Sequence, residues 1–119
     1  RLFVHAGFTS VHGVEKEYDR VNFYFDRTLW EMVLTMDKRI DKTSKIYPNR
    51  LKHYSEIYIG HTPTINFGKE KPMISANVWN VDTGAAFTGK LSAIDIETKE
   101  IFQSDNLKDL YPNELGRNK

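Results

Sequence analysis

The chain has 119 residues, enough for one domain with a hydrophobic core but hardly for two. Apolar residues make up 39% and charged residues 28%, and a formal charge of +1 gives no electrostatic case for nucleic acid or a membrane surface as a partner. The absence of cysteine removes disulfides, thiolate zinc sites and a thiol nucleophile, and fits a reducing, cytoplasmic setting. No apolar run approaches the roughly 18 residues that a membrane helix needs.

The chain opens as Arg1-Leu2-Phe3-Val4, without methionine and already in a strand pattern, so a piece of a longer protein is expected. Leu2-Phe3-Val4-His5-Ala6-Gly7-Phe8 reads as an apolar strand running into histidine and glycine. Residues 9–22 mix glycine with charge and read as a loop with a short helical turn. Residues 25–40 are the principal helix candidate, centred on 28–39. Asp26 can cap its first turn, Leu29, Trp30, Val33, Leu34 and Met36 form an apolar stripe, and Lys38 and Arg39 suit the C-terminal end of the dipole. Residues 41–53 form a polar connection with a turn at Pro48-Asn49.

Glu56-Ile57-Tyr58-Ile59-Gly60-His61-Thr62-Pro63 is the most informative stretch. Its β-branched run favours a buried strand, Gly60 permits a turn or a close approach, and Pro63 stops the ladder because it has no N–H. Ligand sites in open α/β sheets lie beyond the carboxyl ends of strands, which is where His61 falls. Residues 67–72 read as an exposed turn and residues 73–80 as β structure with Val78 and Trp79 inside. Val81-Asp82-Thr83-Gly84-Ala85-Ala86-Phe87 reads as a strand end and tight loop, and residues 90–102 as alternating segments with a hairpin turn near Thr98. A polar tail, residues 104–119, completes an α/β (α+β) chain with one principal helix on mainly antiparallel strands.

Neutral imidazole is the commonest metal ligand, and His5 and His61 at two strand ends can converge on one ion. Three or more protein ligands are usual, and Asp82 is the nearby carboxylate, either as a ligand or as a partner to backbone amides or a histidine N–H. His12 and His53 read as solvated. Asp82-Thr83-Gly84 matches the aspartic protease triplet but falls too late in the chain, with only Glu114-Leu115-Gly116 after it. No Gly-x-Ser-x-Gly elbow and no phosphate-binding Gly-rich loop occurs.

Five motifs in order resemble the calcineurin-like metallophosphoesterases: Phe3-Val4-His5-Ala6-Gly7, Leu29-Trp30, Ile59-Gly60-His61-Thr62-Pro63, Val81-Asp82-Thr83-Gly84-Ala85 and Gly89-Lys90-Leu91. The match is to the C-terminal half, residues 1–103, in the branch of bacterial serine/threonine protein phosphatases and symmetrical diadenosine tetraphosphatases. The resemblance implies part of an αββα sandwich whose intact form holds two divalent metal ions (manganese, iron or zinc). His5 and His61 would bind the same ion, Gly60, Asp82 and Thr83 would serve structurally beside the site, and Arg27 is a weak match to the family's phosphate-holding arginine.

The family's N-terminal motifs, Asp-x-His, Gly-Asp-x-x-Asp-Arg and Gly-Asn-His-Asp/Glu, are absent, so these residues contain no catalytic acid. The implied function is hydrolysis of phosphate esters, phosphoserine and phosphothreonine proteins or dinucleoside polyphosphates, by a metal-activated water. It requires the missing N-terminal half of the domain as partner, so the piece alone is expected to be inactive and to self-associate through uncovered apolar surface. The alternative is a non-catalytic interaction module that keeps the scaffold.

Overall fold

Leu2–Phe3 (β1) and Ile57–Ile59 (β2) lie side by side as parallel strands in the computed structural model, which describes residues 1–118. Leu2 pairs with Ile57 and Phe3 with Tyr58, and the Val4 N–H continues the ladder to the Tyr58 carbonyl at 3.0 Å. Parallel neighbours need a long crossover. It is supplied by a 3₁₀ turn, Val14–Lys16, and three helices: Asn22–Phe25 (α1), Thr28–Thr35 (α2) and Asn49–Lys52 (α3). Met73–Ser75 (β3) and Val78–Asn80 (β4) complete a four-stranded sheet in the order β1-β2-β4-β3. The two-residue link Ala76-Asn77 makes the β3–β4 pair antiparallel. The α+β class expected from the sequence is therefore present, with a parallel pair among the antiparallel ones.

Arg1–Thr62 and Ile74–Trp79 form one structural unit. Its core gathers Phe8, Leu29, Trp30, Val33, Leu51, Ile57, Ile59 and Val78, all buried. The strand β2 is buried along its whole length, which its apolar residues on both faces require.

The principal helix is shorter than the apolar stripe suggests. The chain breaks between α1 and α2 at Asp26, whose backbone is extended. The Asp26 carboxylate accepts hydrogen bonds from the Thr28 N–H (3.1 Å), the Thr28 hydroxyl (2.6 Å) and the Leu29 N–H (3.1 Å), capping α2. At the other end α2 stops at Thr35, because Asp37 turns back on the following residues: it accepts from the Arg39 N–H at 2.9 Å and pairs with the Arg39 guanidinium at 2.7 Å. That side-chain competition for backbone donors removes residues 37–40 from the helix.

The loop after β1 is tied down by charge. The Glu17 carboxylate accepts from the N–H groups of Thr9 (2.6 Å) and Ser10 (3.1 Å), from the Thr9 hydroxyl (2.6 Å) and from the Asn22 amide (3.1 Å). Partial burial raises its pKa, but the hydrogen bonds from Thr9, Ser10 and Asn22 outweigh that and leave it below the usual value of 4.5. Arg50 on α3 donates to the Phe8 carbonyl (2.9 Å), the Thr28 hydroxyl (3.1 Å) and the Thr28 carbonyl (3.3 Å), joining the loop to α2. Burial lowers the Arg50 pKa, against the opposing charges of Asp26 and Glu17.

The second unit comprises Pro63–Met73 and the described residues from Asn80 onward. Its centre is an antiparallel hairpin, Lys90–Ile94 (β5) with Ile101–Asn106 (β6), turning through residues 95–100 as the sequence suggests. Leu107–Leu110 (α4) follows, so regular structure continues past residue 103 into the polar C-terminal segment. Lys119, the end of that segment, lies outside the described residues. A 3₁₀ turn, Thr64–Phe67, closes on Gly68 in the left-handed conformation (φ 72°). Among the described residues no helix is long and apolar enough to cross a membrane.

Two predictions follow the packing. A methyl group on Gly7 would lie 2.4 Å from Asp26 Oδ2 and 3.2 Å from Leu29 Cβ. Gly7→Ala is expected to cost about 1–3 kcal/mol in urea unfolding, and less in an Asp26→Ala background, where the closer clash is gone. The lowered Glu17 pKa gives stability that is full above pH 4.5 and is lost as the pH falls through the folded-state value. Glu17→Gln should therefore flatten the acid limb of the stability–pH curve below that point while lowering the plateau above it.

Candidate metal centre

Parallel pairing of β1 and β2 carries both chains to the same end of the sheet. One residue beyond the Val4–Tyr58 bond, the Gly60 N–H donates to the His5 carbonyl at 2.8 Å. His5 and His61 therefore leave the sheet side by side although 56 positions separate them in the chain. His5 Nε2 and His61 Nδ1 stand 3.3 Å apart, with the rings 5.1 Å apart and inclined at 63°.

That spacing satisfies two chemistries at once. One neutral imidazole can donate its N–H to the bare nitrogen of the other. Two nitrogens bound tetrahedrally to one ion at about 2.0–2.1 Å would also stand roughly 3.3–3.4 Å apart. The nitrogen–nitrogen distance thus matches that of two ligands on a single divalent ion. Among the described residues no group of three or more His, Asp or Glu side chains gathers to hold a metal, and an ion on the pair would need further ligands.

The backbone at His61 is unusual: φ is 69°, in the left-handed region. Left-handed backbone costs a non-glycine residue about 1–2 kcal/mol and is concentrated at functional sites. Here it turns the chain two residues past the strand end, where the Thr62 N–H closes a γ-turn on the Gly60 carbonyl at 2.8 Å. His5 is exposed and His61 half-buried, which leaves the pair open to a ligand.

Helix α1 packs beside the pair. The Ala6 N–H donates to the Phe23 carbonyl at 2.8 Å, and the Phe25 ring lies 5.9 Å from the His61 ring at 83°. No sequence signal points to this contact, because nothing local links a helix residue to a histidine on a distant strand end. Arg27, two residues on, is exposed and opens α2.

The remaining candidates divide. Asp82 and Thr83 lie in the second unit. The Asp82 carboxylate accepts from the Gly84 N–H at 3.0 Å, its own carbonyl accepts from the Thr64 N–H at 2.8 Å, and Gly84 sits at φ 87°. Thr83 is buried, its hydroxyl bonding the Lys90 carbonyl (2.6 Å) and Ser92 Oγ (2.5 Å). Both side chains thus hold a tight loop together. His53 is exposed and bonds the Val11 carbonyl at 2.7 Å, and His12 is exposed. Comparison with family models, with curated proteins and with solved structures returned no match.

The left-handed backbone separates the role of the His61 ring from its cost. His61→Gly should stay within about 1 kcal/mol of the parent in urea unfolding, while His61→Val should be about 1–2 kcal/mol less stable than the glycine variant.

Proposed function

We propose that this chain contributes the two-histidine share of a two-metal phosphoesterase centre, His5 and His61 holding one divalent ion of the pair. The observation that carries the reading is the 3.3 Å approach of His5 Nε2 to His61 Nδ1 at the carboxyl ends of adjacent parallel strands. A bound manganese, iron or zinc pair would supply water activation and charge neutralisation at phosphorus. The order of the five motifs supports a phosphate ester as the substrate class, phosphoprotein or dinucleoside polyphosphate.

In that reading His5 and His61 bind and orient, and Arg27 at the head of α2 is the candidate cation for the substrate phosphate. The other metal ligands, and the group that protonates the leaving alkoxide, come from a second polypeptide segment carrying Asp-x-His, Gly-Asp-x-x-Asp-Arg and Gly-Asn-His-Asp/Glu. Uncovered apolar surface supports such a partner. The strand β1 lies at one edge of its sheet with Phe3 59% exposed, and within the second unit Leu91 and Phe102 are 64% and 55% exposed on the hairpin. Such surface, left uncovered, would also drive the piece to self-associate.

The test is hydrolysis of p-nitrophenyl phosphate in manganese, by the 119-residue chain and by a polypeptide that joins it to a segment bearing the three motifs. The joined protein should hydrolyse the ester, and His5→Ala or His61→Ala should each cost at least the roughly 10–100-fold that loss of a mere outer-shell partner costs. The chain alone should show no turnover above its His61→Ala control. Turnover by the chain alone, or a joined protein indifferent to both histidines, would sink the reading.

A further inference from the structure

Phe25 is a large apolar side chain left 65% exposed, so burial does not explain its placement. Its backbone is nonetheless fixed. The Phe25 N–H donates to the Val21 carbonyl at 3.2 Å, the neighbouring Phe23 carbonyl receives the Ala6 N–H at 2.8 Å, and the next residue is the buried cap Asp26. The ring therefore reaches His61 from a rigid base.

The imidazole of His61 meets the His5 nitrogen on one side and the Phe25 ring on another. Its left-handed backbone fixes where Cβ points, but the histidine χ2 torsion is soft and broad. Turning about χ2 swings Nδ1 away from His5 Nε2 and opens the 3.3 Å approach. The Phe25 ring stands at 83° to the imidazole with centroids 5.9 Å apart, a favoured perpendicular arrangement that turning about χ2 would disturb.

We propose that Phe25 is a positioning residue for His61: it holds the imidazole plane in which Nδ1 faces His5, so that both nitrogens meet one ion. The inference rests on the reading of His5 and His61 as ligands of a single metal. It assigns Phe25 no contact with substrate.

The experiment is a titration of the whole chain with Cu²⁺, the divalent ion that imidazole binds most tightly. Calorimetry gives the affinity, and electron spin-echo spectroscopy gives the number of coordinated imidazoles. The parent should show a site with two imidazoles that His5→Ala or His61→Ala reduces to one. Phe25→Leu should weaken that site about threefold to tenfold and reduce the two-imidazole signal, while Phe25→Tyr restores both, because tyrosine keeps the perpendicular ring. Thermal unfolding of Phe25→Leu should match the parent, since the ring is mostly in water. Parent-like affinity and two imidazoles in Phe25→Leu would overturn the role of Phe25 while leaving the metal pair standing. Copper binding unchanged by both histidine variants would overturn the metal pair itself, and the role of Phe25 with it.

Discussion

The parallel register of β1 with β2 is the constraint on which the rest of the first unit depends. Pairing Leu2 with Ile57 and Phe3 with Tyr58 places His5 beside Gly60, and the bond from the Gly60 N–H to the His5 carbonyl fixes that approach at 2.8 Å. A slip of one residue would turn Ile57 and Ile59 to the opposite face and part the histidines together. Burial of β2 on both faces makes such a slip expensive, since its isoleucines are buried, as are Phe8, Leu29 and Val78. The geometry of an open, polar pair is thus enforced by apolar packing beneath it.

How much of this was legible in the sequence varied with the range of the interaction. The strand ends at His5 and His61 were readable, because a β-branched run stopped by glycine and proline is a local signal. That the two ends are neighbours was not, since the parallel pairing is set by a crossover with three short helices. Asp26 as a cap was readable from its place before the apolar stripe, and the hydrogen bonds to Thr28 and Leu29 are those a cap makes. α2 is shorter than its apolar stripe for a local reason: Leu34 and Met36 extend the stripe, but the Asp37 side chain captures the Arg39 backbone and ends the helix early. Glu17, Arg50 and Phe25 gave no signal, because each acts on residues brought near only by the fold.

The two units are held by different means. The first has a conventional apolar core. In the second, the described residues include no buried large apolar side chain, and polar contacts knit the segments. The Gln103 amide donates to the Glu70 carbonyl (2.6 Å) and Ser92 Oγ (2.9 Å), and Gly89 packs so tightly that a methyl group there would lie 2.0 Å from the Thr83 carbonyl. A lattice of this kind is specific in geometry but gains little from removing surface from water. The exposed Leu91 and Phe102 give the hairpin apolar area that only a further layer would use.

The strand order also has a topological consequence. The chain leaves the first unit after Thr62, returns for Ile74–Trp79, and leaves again. That brief return supplies most of β4, which lies between β2 and β3. Neither unit is therefore a contiguous stretch that a gene could gain or lose by one cut. Truncation after the histidine would strip β2 of one neighbour and leave its backbone as a raw edge. Recombination that respects this fold must inherit both strand ends and the later return together, so the histidine pair travels as one heritable block with much of the chain that follows it.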